Sequence, residues 1–255
     1  MGGGTGYLGF NANGLGYIVD VSCVLAGVEG CSTAATALRS GEEVLPRLGR
    51  WSPDGETIAF VVDGSLYMMD AASGDLTLVA EGASAEPAWS PDGGLLAFIS
   101  GENLWQASAA CVLEGGEGCL TQITDNFLLE SGPLWLPDGS RIAFLQRQPS
   151  TFDEVFTVAP EGGEPTRVTP VGVNITAMQW MPDGERILFS TISVGTATLP
   201  SASFYEIGLN ISEAGGEPVR LVTFSEGDFG TDCAIGVCRG GGEFDLSPDG
   251  QYVII

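Results

Sequence analysis

The sequence contains no lysine and no histidine. Without histidine, a Ser-His-Asp triad cannot be assembled within the chain. Without lysine, neither a Ser-Lys pair nor a Schiff base is available. There is no G-x-S-x-G elbow, no EF-hand pattern and no Gly-rich phosphate loop with its Lys. Basic charge is scarce altogether: nine residues, all Arg, face 33 Asp and Glu, for a formal net charge of −24. Nucleic-acid binding depends on basic side chains neutralising phosphates, so this field excludes it and disfavours anionic membrane surfaces. Cationic partners and divalent ions are tolerated, and the bulk of the charge reads as a solvated surface. Carboxylate pairs are one route to glycoside hydrolysis, but acidic residues are so frequent here that proximity in sequence carries little meaning. Long apolar runs are missing as well. No window approaches the roughly 18 consecutive apolar residues of a membrane span. Met1 is followed by glycines, with no basic n-region or apolar h-region, so the sequence reads as a mature fragment.

What the chain has in plenty is turn-forming and apolar residues. Its 255 residues include 38 Gly and 14 Pro, with 44% hydrophobic and 16% charged side chains. Many short strands joined by tight turns give this balance, and the length suits one large all-β domain.

A repeat organises these residues. Five segments share one pattern: Trp51–Phe60 (WSPDGETIAF), Trp89–Phe98 (WSPDGGLLAF), Trp135–Phe144 (WLPDGSRIAF), Trp180–Phe189 (WMPDGERILF) and Leu246–Ile255 (LSPDGQYVII). Pro presets φ, Asp bonds nearby amides, and Gly accepts positive φ, so Pro-Asp-Gly is a tight turn. Asp54, Asp92, Asp138, Asp183 and Asp249 are therefore read as structural turn residues. The apolar run after each turn reads as a buried strand. The preceding Trp reads as core, because it recurs at one structural position. In the first repeat, Ile58–Val62, Leu66–Asp70 and Leu76–Ala80 follow as strands separated by turns. Four short antiparallel strands per repeat predict a β-propeller blade.

The expected fold is thus all-β: a β-propeller of four-stranded antiparallel blades, about five in this chain, or part of a six-bladed or longer one. A single domain spans 1–255. The prolines at 53, 91, 137, 182 and 248 place the longest step between the last two repeats. Extra loop is expected there, around Thr191–Ser203 and the third Cys pair. Tyr7–Asn11, Gly16–Val21 and Thr33–Leu38 look like a first blade without its opening strand. Residues 244–255 are the candidate completion, through the strands Phe244–Ser247 and Tyr252–Ile255.

Six cysteines form three close pairs: Cys23 with Cys31, Cys111 with Cys119, and Cys233 with Cys238. The first two bracket VLAGVEG and VLEGGEG, two copies of one element. Zinc favours C-x₂₋₄-C spacing, often with His, and fits poorly here. Disulfides stapling short loops are expected instead, and they imply an oxidising compartment.

The P-x-W-S-P-D-G-x-x-I-A-F pattern, with a strand ending in Asp and a later L-T/V-T strand, resembles the TolB-like, WD-related propeller repeats. That resemblance covers nearly the whole chain. It implies an all-β propeller, commonly periplasmic or extracellular, often serving protein–protein contacts. Related propellers also sit beside a serine-peptidase domain. The paired-Cys insertions depart from the family pattern and suggest a secreted relative.

The expected function is a non-enzymatic, exported protein-binding or scaffolding module. One alternative is a structural subunit of an extracellular assembly or filament built by strand exchange, hence self-association. Another is the non-catalytic propeller of a peptidase. No cofactor is expected. Calcium, which takes carboxylate and carbonyl oxygens, is the one candidate ion, with Glu226, Asp228 and Asp232 as candidate ligands. Asn174-Ile-Thr176 and Asn210-Ile-Ser212 are glycosylation sequons.

Overall fold

The structure is a computed structural model. It describes residues 7–12, 15–20, 36–37, 39–40, 43–44, 49–84, 87–149, 152–170, 174–196, 203–213, 216–225, 245–246 and 250–254. The chain divides into two compact units, Met1–Asp125 and Asn126–Ile255.

In the first unit, β1 (Tyr7–Ala12), β2 (Leu15–Asp20) and β3 (Thr36–Ala37) form a three-stranded antiparallel sheet. A small hairpin follows, β4 (Arg39–Ser40) with β5 (Glu43–Val44). The first complete blade is β6 (Arg50–Trp51), β7 (Thr57–Val62), β8 (Ser65–Asp70) and β9 (Leu76–Glu81). The second is β10 (Ala88–Trp89), β11 (Leu95–Ser100), β12 (Asn103–Ser108) and β13 (Leu120–Gln122), with the helix α1 (Ala109–Leu113) before its last strand.

The second unit holds two more. The third blade is β14 (Glu130–Trp135), β15 (Ile142–Arg147), β16 (Asp153–Val158) and β17 (Thr166–Arg167). The fourth is β18 (Ile175–Trp180), β19 (Arg186–Thr196), β20 (Ser203–Glu213) and β21 (Val219–Ser225). Finally β22 (Asp245–Leu246) pairs with β23 (Val253–Ile254).

Each blade is a meander in which consecutive strands pair antiparallel, as the turn spacing predicts. The strand after each Pro-Asp-Gly turn is the most deeply buried. Ile58, Ala59 and Phe60 in β7, Leu96 to Ile99 in β11, Ile142 to Leu145 in β15 and Ile187 to Phe189 in β19 are all buried. Both faces of these strands are covered, so their sequences are continuous apolar runs rather than alternations. Ala59, Leu66, Leu96 and Phe98 anchor a core cluster in the first unit, and Ala143, Val155, Ile187 and Phe189 one in the second. The repeated Trp residues close the opening strands. Trp135 and Trp180 are buried, and Trp51 and Trp89 are partly buried against core clusters.

Neighbouring blades are tied within a unit. Trp89 Nε1 donates to the Arg50 carbonyl at 2.9 Å, and the Ser84 amide donates to the Ile99 carbonyl at 3.0 Å. In β14 the register shifts between Ser131 and Leu134, where Gly132 has φ +56° and Pro133 has no amide to donate.

The insertion around Thr191–Ser203 is not simply loop. Much of it extends a hairpin, since β19 and β20 are eleven residues each and pair from Arg186↔Glu213 to Thr196↔Ser203. β-branched and aromatic residues in TISVGT and SFYEIGL favour this extension.

Candidate functional site

The Pro-Asp-Gly turns hold the densest side-chain hydrogen bonding in the blades. In the first, Ser52 Oγ donates to Asp54 Oδ1 at 2.5 Å and accepts the Thr57 amide at 2.9 Å, while Asp54 Oδ1 accepts the Glu56 amide at 3.0 Å. The second repeats this with Ser90: its hydroxyl meets Asp92 Oδ1 at 2.6 Å and the Leu95 amide at 2.9 Å.

Leu136 and Met181 replace this Ser in the next two turns. They occupy the same buried position, so the site accepts either a satisfied hydroxyl or an apolar side chain. The second donor to Asp then comes from elsewhere. Ser140 bonds Asp138 through both its amide and its hydroxyl, at 2.9 and 2.7 Å. Asp183 accepts the amides of Glu185 and Arg186 and forms an ion pair with the Arg186 guanidinium at 2.7 Å.

These bonds all favour the ionised carboxyl. The Ser52 hydroxyl, then the Glu56 amide, hold Asp54 below the ordinary aspartate range. Ser90 and the Gly94 amide do the same for Asp92, and the Ser140 hydroxyl and amide for Asp138. For Asp183 desolvation is the largest single influence and acts upward, but the two amides and Arg186 together bring the carboxyl below its usual value. The turn reading of Asp54, Asp92, Asp138 and Asp183 thus has a full set of partners. Asp249 lies outside the described residues.

The structure pairs Cys111 with Cys119 in a disulfide, with Cα atoms 5.5 Å apart. Cys23, Cys31, Cys233 and Cys238 lie outside the described residues, as do the calcium candidates Glu226, Asp228 and Asp232. Among the described residues no group of three or more Cys, Asp or Glu is arranged to hold a metal ion, and no helix is long and apolar enough to cross a membrane. The two sequons differ in their surroundings. Asn210 is buried on β20 and donates to Thr191 Oγ1, whereas Asn174 precedes β18 and is half-buried.

Two features escaped the sequence reading. Glu130 and Glu154 are buried carboxylates: Glu130 accepts from Asn126 and Gln146, and Glu154 pairs with Arg167. Asn126 also caps the next turn by accepting the Leu128 amide at 2.8 Å, leaving Phe127 fully exposed. Asn two residues before an amide is an Asx-turn signal that was available in the sequence.

Antiparallel four-stranded blades, each opened by the same Trp and Pro-Asp-Gly turn, define a β-propeller. A family model for the TolB beta propeller domain matches residues 29–206, and the chain belongs to that family. Among curated proteins, the uncharacterized peptidase YuxL of Bacillus subtilis (strain 168) is 35% identical over 63 residues, which is 25% of this chain and 9% of that protein. Among solved structures, the putative TolB from Agrobacterium tumefaciens matches with a TM-score of 0.61 and 18% identity, covering 86% of this chain and 78% of that one. TolB from Acinetobacter baumannii matches with a TM-score of 0.60 and 18% identity, covering 99% of this chain and 58% of that one. At that identity the two structures speak for the fold.

Proposed function

We propose that the chain is an exported, non-enzymatic propeller module that binds a protein partner. The observation that carries this reading is the state of the repeated carboxylates. In a chain without Lys or His, Asp54, Asp92, Asp138 and Asp183 are bonded within their own turns, so the repeated pattern serves the scaffold. Membership of the TolB beta propeller domain family supports a role in protein contacts, and the Cys111–Cys119 bridge supports an oxidising compartment. The net charge of −24 favours a cationic partner.

The test has two arms. Purified full chain should form a saturable complex with a protein from its native extracellular fraction, and it should show no peptidase or esterase turnover. Robust turnover by pure protein overturns the reading, as does the lack of any saturable complex.

A second reading is favoured by the resemblance to the peptidase-named relative. In it, the chain is the non-catalytic propeller of a peptidase. Restored turnover on adding a separate peptidase domain, with stoichiometric binding between the two, would select this version.

A further inference from the structure

We propose that the disulfide-bounded loop 109–119 is a docking element for a basic protein segment carrying an aliphatic or aromatic anchor. The proposal deepens the protein-binding reading and rests on it.

The loop exceeds what the blade needs. The third and fourth strands are joined by residues 71–75 in the first blade and 159–165 in the third, without a helix or a bridge. In the second blade the same connection carries α1 and the Cys111–Cys119 disulfide. Its inner side has a packing role, since Ala109 and Val112 are buried in the core cluster of the first unit. Its outer side does not. Leu113 is 53% exposed, and Leu120, just past the bridge, is 37% exposed.

The sequence holds a second copy, and comparing the two separates structural from unexplained residues. Both read C-V-L-x-G-x-E-G-C, at 23–31 and 111–119. In the described copy the Cys residues are bonded and Val112 is buried. Gly115 and Gly118 sit at φ +69° and +71°, which disfavours any side chain. Leu113 and Glu117 are the retained residues for which scaffold chemistry gives no reason; both are exposed. An exposed aliphatic side chain and an exposed carboxylate within one bridged loop offer an apolar and a charged contact to a partner, and the bridge holds the backbone in advance of binding.

Charge selects the occupant. Every charged side chain after Arg50 in the first unit is a carboxylate, and Glu114 and Glu117 follow Leu113 in the loop. A basic segment complements these carboxylates. An apolar residue on it covers Leu113 while its Lys or Arg meets Glu117.

The test uses the oxidised full chain and three fluorescein-labelled peptides of equal length: alternating Lys–Leu, alternating Lys–Ser and alternating Glu–Leu. Anisotropy at physiological salt should rank Lys–Leu tightest. Leu113→Ser should weaken Lys–Leu binding. Combined Leu25→Ser and Leu113→Ser should weaken that peptide about tenfold, to the level of Lys–Ser. Leu→Gln at both sites serves as a second pair of variants, with the thermal midpoint checking the fold. Phe127→Ser, which removes an exposed aromatic elsewhere, should change nothing. Unchanged Lys–Leu affinity in the double variants overturns the loop proposal. If Phe127→Ser abolishes the preference instead, the loop proposal fails and the protein-binding reading stands. Binding of none of the peptides also overturns the loop proposal; complex formation in the native extracellular fraction then judges the broader reading separately.

Discussion

Ser52, Ser90, Leu136 and Met181 occupy one position in four successive turns, and their differences show what that position requires. It must be buried; a hydroxyl is admitted when Asp and a strand amide satisfy it. The invariant element is an ionised Asp with at least two donors. Its pH dependence has a definite sign. Asp54, Asp92, Asp138 and Asp183 all lie below the usual value of 3.8 in the folded chain. Their stabilisation is therefore complete above the unfolded value and is lost as pH falls through the lower folded values. Acid also relieves repulsion in a chain of net charge −24, so a difference must be measured. Asp92→Asn should melt below the wild type at pH 6, and the gap should close as the pH is taken from about 4 to about 2. A gap independent of pH would refute the carboxylate assignment.

At the scale of elements, the turn glycines separate two demands. Gly55 has φ +74° with nothing near its missing side chain, so Gly55→Ala meets backbone strain alone, about 1–2 kcal/mol. Gly250 has φ +69°, and a Cβ there would lie 2.9 Å from Pro182 Cδ. Gly250→Ala should therefore cost more, because the proline ring of the preceding repeat must also move. Urea denaturation of the two variants measures the order, and equal losses would remove the packing role. The disulfide loop gives a second prediction. Its cysteines are eight residues apart, and closing so short a loop stabilises by about 2–3 kcal/mol. Replacing Cys111 and Cys119 together by Ser should lower stability by that amount and leave strand content by circular dichroism unchanged. The Cys111–Cys119 pairing is readable from the spacing, whereas the helix α1 is not. Gly-rich VLEGGEG is a poor helix former, and AACVL becomes helical because Ala109 and Val112 gain a core to bury in.

At the scale of the whole molecule, the question is how the end strands are used. The pair β22–β23 carries the last repeat, and β1–β3 form a three-stranded sheet in which no Pro-Asp-Gly motif opens the meander. We propose from the sequence that 244–255 complete the first sheet within one chain, because a tethered end has a high local concentration. Deleting residues 244–255 should then give a destabilised, aggregation-prone monomer in thermal melts and size-exclusion chromatography. A well-folded monomer that no longer polymerises would point to strand exchange between chains. Unchanged stability and assembly would exclude both.

The sequence by itself determined the blades. Pro-Asp-Gly turns and short β-prone runs are local signals, so nearly every predicted strand lies within two residues of its position in the structure. It also determined that no Ser-His-Asp triad is assembled within this chain, because folding cannot supply a His the sequence lacks. Tertiary structure decided what depends on distant partners. The residues around Thr191–Ser203 became hairpin because two β-prone arms found each other across eleven paired positions. Glu130 and Glu154 were accepted into buried sites because Asn126, Gln146 and Arg167 were brought to them. Leu113 was left in solvent while adjacent Val112 was buried, a choice made by the side of α1 that met the core. Hydrophobicity does not distinguish those two residues in sequence; only the packed blade does.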